Sequence, residues 1–357
     1  MVPLQIDAGP GRRLAAMYHP PSSRVNGRAV LIINPLGQEA VRAHRLLRVL
    51  SDRLARQGVH VLRFDFHGCG DSSGDDLDGE MEGWQGDLLA AHAWLLKQTG
   101  VQSVGWMGIR LGFAVGWLAA WALNTKKQGN APASSVSTSV CAADSDAAVR
   151  TDRQVVSASA GVTASVLREP MPLPGPALTP GYIPARMPES ITADTALPDR
   201  LIGWDAVASG RAYLDRLWED HQAALKRAFS LPTIPDRQLR RQSAEKDLSE
   251  AMGFGLSSRL VAQIRELDWH DWTKPPLAKV NVLMSKDALP WPVIIKPAYA
   301  VTQAAAMMAA GRAPVVHLES VDVDFDWTSE EALNTPLVPD MALRRLLPWL
   351  SETHLHD

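Results

Sequence analysis

The run Val104–Leu123, VGWMGIRLGFAVGWLAAWAL, sets a single cation among twenty otherwise uncharged residues. Two structures can carry such a stretch. One is a membrane span, for which Gly108, Gly112 and Gly116 supply the small-xxx-small spacing of packed membrane helices. Against it, Arg110 would sit inside the bilayer at a cost of about 2.5–3.5 kcal/mol. The other is a buried strand running into a buried helix, which avoids that cost. The run therefore predicts strand, sharp turn and helix, with no membrane span.

The flanking pattern agrees. Arg13–Tyr18 and Arg28–Asn34 read as strands, the second (RAVLIIN) a continuous apolar run expected of a strand covered on both faces. Val41–Gln57 carries Leu46, Leu47, Leu50 and Leu54 on one helical stripe, closed by Gly58. His60–Phe66 is the next strand, and GWQGDLLAAHAWLLKQTG holds a helix ending at Gly100. Alternation with short connections predicts an α/β chain with a mostly parallel central sheet covered by helices.

The alternation stops at Asn124. From there to Asp199 the chain is rich in Ser, Ala, Thr and Pro, with seven prolines in EPMPLPGPALTPGYIPARMPES alone. A structureless stretch of this length is uncommon inside a compact core, so it predicts a long flexible surface insertion. RLIGWDAVASGRAYLDRLWEDHQAAL then reads as a strand entering a helix, and EAMGFGLSSRLVAQIRELDW as helical material capping the sheet's C-terminal edge. Strand AKVNVLMSKD, helix PAYAVTQAAAMMAAG, strand APVVHLES and helix PDMALRRLLPWLSETH complete the chain. Four regions result: an N-terminal half of the core (1–123), the insertion (124–199), a strand and helical cap region (200–275) and the rest of the core (276–357).

With 46% apolar and 21% charged residues, the material for a large core is present. A net charge of −3 argues against a nucleic-acid partner. Cys69 and Cys141, the two cysteines, have neither metal-ligand spacing nor a disulfide framework and fit a reducing compartment. The opening MVPLQIDAGPGRRLAAMYHP lacks the apolar centre of a signal peptide, so a cytoplasmic location is expected. Asp268, His270 and Asp271 lack a second ligand cluster, and neither a metal nor a cofactor is expected.

Three stretches fall in a recognisable order. LIINPLGQEA (Leu31–Ala40), RFDFHGCGDSSG (Arg63–Gly74) and WMGIRLG resemble the oxyanion loop, the Asp-x-x-Gly-x-Gly-x-Ser turn and the nucleophile elbow of the α/β-hydrolase fold. Asp65, Gly68, Gly70 and Ser72 occupy the matching places of the middle motif. More of the chain outside the insertion is similar to the exosortase A system-associated hydrolases, through NPLGQEAVRAHRLLRVLSDRLARQGVHVLRFDFHGCGDSSGD, LIGWDAVASGRAYL and GFGLSSRLVAQIRELDW. One branch of that family carries Gly-Leu-Arg-Leu-Gly at the elbow. The resemblance implies an α/β-hydrolase fold and a link to exopolysaccharide production, with a protein of that pathway as a candidate partner; it says little about a reaction.

At the elbow, Gly108 and Gly112 lack side chains that would strike the neighbouring strand and helix, and Arg110 should project into the cleft. Arginine stays protonated near neutral pH and cannot attack. The Leu111 amide at a helix N-terminus, a second amide from Leu36 or Gly37, and the guanidinium form an expected ligand-binding set that favours negative charge. A plainer role pairs Arg110 with a cleft carboxylate such as Asp287 or Asp65. Asp287 stands near the place of a triad acid, but VDVDFDWTSEEALNTP after the last strand contains no histidine; His317 lies in or beside that strand, and His354 and His356 in the tail. Cys69, Ser72 and the adjacent Ser73 are the remaining nucleophile candidates, with His67 close by. Cys69 reads more simply as packing and Ser72 as a turn residue. His44 is expected at the surface, and Trp106, Trp117, Trp121 and Trp291 as packing or the lining of an apolar pocket. Two readings stay open: a hydrolase-like pseudoenzyme that binds a small anionic or acylated ligand or a partner, and an active hydrolase or acyltransferase on esters or thioesters with a non-standard nucleophile.

Overall fold

The computed structural model describes residues 1–127, 187–189, 191–192, 194–229, 248–268, 275–286, 288, 315–328 and 338–352. Its frame is an eight-stranded sheet made of β1 (Val2–Asp7), β2 (Arg13–His19), β3 (Arg28–Ile33), β4 (His60–Phe64), β5 (Ser103–Ile109), β6 (Arg200–Trp204), β9 (Lys279–Met284) and β10 (Val315–Ser320). The spatial order is β1-β2-β4-β3-β5-β6-β9-β10, with β2 antiparallel to both β1 and β4 and every later pair parallel. This is an α/β-hydrolase fold, as expected: a mostly parallel sheet with its reversed strand near one edge.

The parallel strands are buried on both faces. All six residues of β3 are buried. Alternate positions point to opposite sides, and each side has its own core. Leu31 and Ile33 join Leu62, Phe64 and Trp106 beneath α2 (Met81–Thr99) and α3 (Leu111–Lys127). Val30 and Ile32 join Val61 and Met107 beneath α1 (Gln38–Arg56) and the closing helix α6 (Asp340–Ser351). The stripe Leu46, Leu47, Leu50 and Leu54 lies wholly in this second core. Gly58 ends α1 at φ 82, where a Cβ would come within 2.1 Å of the Arg24 carbonyl oxygen.

At the N-terminal ends of the strands, Arg28 Nη2 reaches both carboxylate oxygens of Asp199, and Arg28 and Arg200 donate to the Leu350 and Trp349 carbonyls of the last turn of α6. These donors satisfy carbonyls that a helix end otherwise leaves open. At the opposite end lie α4 (Gly210–Phe229), the hairpin β7 (Glu250–Ala251) and β8 (Phe254–Gly255), and α5 (Ser258–Glu266). Met252 at φ 51 and Gly253 at φ 88 form the two-residue turn of that hairpin. Its Phe254 packs on Gly37, where an added Cβ would meet the ring at 3.2 Å.

Some element assignments change. β1 was not anticipated: VPLQID alternates weakly and contains a proline, and it is defined mainly by pairing with β2. Helix α3 runs four residues past the boundary drawn at 124, and β6, grouped above with the cap region, is an interior strand between β5 and β9. The helix expected over PAYAVTQAAAMMAAG lies outside the described residues, as does most of the 124–199 insertion. The run Val104–Leu123 is β5 and α3, and among the described residues no helix is long and apolar enough to cross a membrane.

Candidate active site at the strand ends

Strand β5 ends at Ile109 and α3 begins at Leu111, so one residue makes the turn. Arg110 holds it at φ 51, a left-handed conformation costing about 1–2 kcal/mol in a residue with a Cβ. Its neighbours impose that shape. A Cβ on Gly108 would lie 2.4 Å from Phe113 Cα, and one on Gly112 would lie 2.5 Å from the Asn34 carbonyl oxygen. The Arg110 amide donates to the Trp204 carbonyl at 3.0 Å. The turn has the elbow geometry that its glycines predicted.

The side chain does not reach open space. Arg110 is 5% exposed, and its Nε donates to Glu39 Oε1 at 2.9 Å. Glu39, in the first turn of α1, is 1% exposed and also accepts from the Tyr213 hydroxyl of α4 at 3.0 Å through Oε2. The guanidinium carbon stands 5.4 Å from the Tyr213 ring centroid, within cation–π range. Burial alone would lower the Arg110 pKa, but Glu39, Tyr213 and Asp205 outweigh it and the net shift is upward. Burial raises the Glu39 pKa, and Arg110 and the Tyr213 hydrogen bond pull it back. The negative charge facing Arg110 is thus carried by the protein itself. A carboxylate does pair with Arg110, but it is Glu39 and not Asp65, which bonds Asn34 Nδ2 and the Asp71 amide. Asp287 lies outside the described residues.

A second carboxylate escaped the sequence reading. Asp205 follows β6 at φ 47 and is 1% exposed. One of its oxygens accepts from the Ser285 amide at 2.6 Å, the other from Trp327 Nε1 at 2.7 Å. Trp327 stands on the segment after the final strand, where a triad histidine was sought, and packs edge-on against Trp204. Burial raises the Asp205 pKa, partly offset by these hydrogen bonds and by Arg110. An acid directly after an apolar strand was the available sequence signal. His317 lies within β10 with its ring against Trp349; His354 and His356 are outside the described residues.

The other candidates gather around a cavity of about 770 Å³ beside the elbow. Leu36, Gly37, Cys69 and Asp65 line it; Arg110 and Leu111 do not. The ligand-binding set named from sequence is therefore divided between this cavity and the sealed turn. Cys69 is half-buried, and burial with nearby Asp65, Asp76 and Asp87 pushes its thiol up to about 12, so it stays protonated near neutral pH. The Ser72 hydroxyl donates to the Asp65 carbonyl and accepts from the Ala15 amide. The Ser73 hydroxyl donates to the Gly11 carbonyl, accepts from the Arg13 amide and lies 3.2 Å from His67 Nδ1. Both serines pin the glycine-rich turn to the β1–β2 hairpin. His44 is exposed on the rim. Trp106 and Trp117 are core residues and Trp121 is exposed, while Trp84 lines the cavity; Trp291, His270 and Asp271 lie outside the described residues. Among the described residues no cluster of His, Cys, Asp or Glu could hold a metal ion.

No family model matches the chain, and no curated protein does. Solved structures of similar architecture include Est1E from Butyrivibrio proteoclasticus with bound ferulic acid, at 14% identity and TM-score 0.47, covering 97% of this chain and 98% of that one. An α/β serine hydrolase without lid from Xanthomonas campestris is 15% identical at TM-score 0.44, covering 99% and 96%. A proline iminopeptidase from Mycobacterium smegmatis is 12% identical at TM-score 0.47, covering 98% and 97%. The fold assignment rests on strand order and direction.

Proposed function

We propose that this chain is an α/β-hydrolase-fold protein that binds an acylated ligand in the cleft beside its elbow and does not hydrolyse it. The observation that carries the reading is the Arg110–Glu39–Tyr213 cluster. It fills the position of an attacking residue with a cation, and the charge of that cation is already compensated. A serine mechanism needs a nucleophile with a base in reach; Ser73 lies 3.2 Å from His67 Nδ1 but donates its proton to the Gly11 carbonyl, and on the buried acid the hydrogen bond is taken by Trp327, whose indole N–H donates without ever accepting a proton. The acylated rather than the small anionic ligand follows from the same cluster, because Glu39 leaves Arg110 little attraction for another anion. The cavity supports it: Leu36, Leu47, Phe64, Phe66, Trp84 and Phe254 are among its walls, and pockets of this size and character suit mainly apolar ligands. A cytoplasmic role in an exopolysaccharide pathway, with a protein of that pathway as partner, is the setting that the exosortase A-associated resemblance implies.

The test has two arms. Purified protein should give no turnover of p-nitrophenyl esters or acyl thioesters; turnover abolished by Cys69→Ala, Ser72→Ala or Ser73→Ala would establish a hydrolase. In the second arm 1-decanol, an uncharged acyl-chain mimic, should bind and change the fluorescence of the wild type, Trp84 being a wall of the cavity. Ala40→Trp, which narrows the cavity from α1, should weaken that binding at least tenfold.

A further inference from the structure

Arg63 lines the same cavity from β4 and is 6% exposed. It faces the α1 side of the sheet, since its β4 neighbours Leu62 and Phe64 belong to the opposite core. Among the described residues its Nε has no hydrogen-bond partner, and its Nη2 reaches only Met1 Sδ at 3.9 Å. A thioether is a weak acceptor. The carboxylates whose fields reach it are engaged elsewhere. Asp52 is bonded to His19 Nδ1 at 3.1 Å, and Asp65 to Asn34 and the Asp71 amide. No carboxylate forms an ion pair with Arg63 among the described residues. Burial pulls the Arg63 pKa below its ordinary value, with Asp65 and Asp52 opposing and Arg48 assisting. Contrast Arg110, whose Glu39 sits at 2.9 Å. Arg110, like the buried Arg12 and Arg28, has a carboxylate on it; Arg63, on the wall of the open cavity, has none among the described residues. Taking an arginine out of water without a counter-ion is costly unless something anionic arrives.

We infer that Arg63 is the anchor for an anionic head group, and that the cavity takes a single acyl chain ending in a carboxylate. The inference rests on the acyl-binding reading above and adds the ligand's charge and orientation. A guanidinium fork matches a carboxylate in two parallel hydrogen bonds. The chain would run from it past Met17, Val41 and Leu47, which line the groove between the edge strands and α1. A monoanion is favoured over a phosphate dianion because Asp65, Asp71 and Asp76 share the same lining.

Titration calorimetry with decanoate, 1-decanol and decyl phosphate separates the alternatives on the full chain. Wild type is expected to bind decanoate at least tenfold more tightly than 1-decanol. Arg63→Met, which keeps the side-chain length without the charge, should erase that preference by weakening decanoate binding at least tenfold; Arg63→Lys should retain part of it. Removing an uncompensated buried cation should not lower stability, so Arg63→Met is expected to melt no earlier than wild type. If the preference for decanoate survives in Arg63→Met, the anchor is not Arg63 and the inference fails while acyl binding stands. Tenfold tighter binding of decyl phosphate overturns the carboxylate assignment. If neither 1-decanol nor decanoate binds, the acyl-binding reading itself falls.

Discussion

Replacing Glu39 by glutamine tests the sealed elbow with the least change of shape. The amide oxygen can still accept from Arg110 Nε, now 2.9 Å from Oε1, while the amide NH2 takes the place of Oε2, now 3.0 Å from the Tyr213 hydroxyl, which must turn to accept instead of donate. It removes the charge and one of the two acceptor oxygens. Both ionic partners are almost wholly buried, so the substitution leaves a cation in the interior without its counter-ion. Breaking such a pair costs about 3–5 kcal/mol, and the retained hydrogen bond from Arg110 Nε places Glu39→Gln near 3 kcal/mol. For a chain of this size that is a fall in Tm of about 4 °C. Arg110→Met should cost a similar amount near neutral pH, because it strands the carboxylate. The double variant, with no charge left, should recover most of the loss, giving a coupling of at least about 2 kcal/mol in a double-mutant cycle. The two single variants differ in pH dependence. Without Arg110, burial leaves the Glu39 pKa further above its unfolded value. The folded state then binds the extra proton, so the Arg110→Met penalty shrinks as pH falls through the folded pKa, while that of Glu39→Gln has no carboxyl to titrate. Urea unfolding at several pH values measures all of this. Additive single effects, or a Glu39→Gln variant as stable as wild type, would refute the claim that the pair is a coupled ionic unit.

Two further outcomes follow from buried geometry. His92 donates from Nε2 to the Ala196 carbonyl at 2.8 Å and accepts Trp106 Nε1–H on Nδ1 at 3.1 Å, so protonating Nδ1 would set two donors against each other. Burial lowers its pKa to about 4. The unfolded chain therefore takes up this proton first, and wild type should lose about 3 kcal/mol relative to His92→Gln as pH falls from 6.5 to 4; parallel stability curves would exclude it. Gly112→Ala drives a Cβ to 2.5 Å and 2.7 Å from two main-chain carbonyl oxygens, whereas at Gly100 a Cβ meets nothing within 4 Å and only the φ of 66 opposes it. Gly112→Ala should cost about 3 kcal/mol and Gly100→Ala about 1 kcal/mol, and equal costs in urea unfolding would contradict the packing described for the elbow.

What could be read from the sequence was what depends on near neighbours. The apolar run Arg28–Asn34, the leucine stripe of α1 and the glycines around Arg110 each specify a local shape, and each takes that shape. What escaped depends on partners far along the chain. Glu39 looks like an ordinary acidic residue at the start of a helix; its burial is produced by Tyr213, 174 residues later. Asp205 is defined as a buried acceptor by Trp327, 122 residues away. Neither distance has a periodic signature. Arg63 was passed over for a related reason: an arginine on a strand reads as solvent-facing, and the groups near it, Met1 and Arg48 and Asp52 of α1, are distant from it in sequence or on another element. The edge strand β1 has a pattern too weak to specify itself and borrows its geometry from β2.

The bend at Arg110 is shaped by what surrounds it. Gly108, Gly112 and the main-chain bond to Trp204 set its path, and the arginine side chain takes no part in any of them. The apex behaves as a socket with an exchangeable occupant, and Glu39 is the fitting matched to the present one. An engineer wishing to install a new functional group on this frame would have to change both residues together, since a neutral newcomer would inherit a stranded carboxylate.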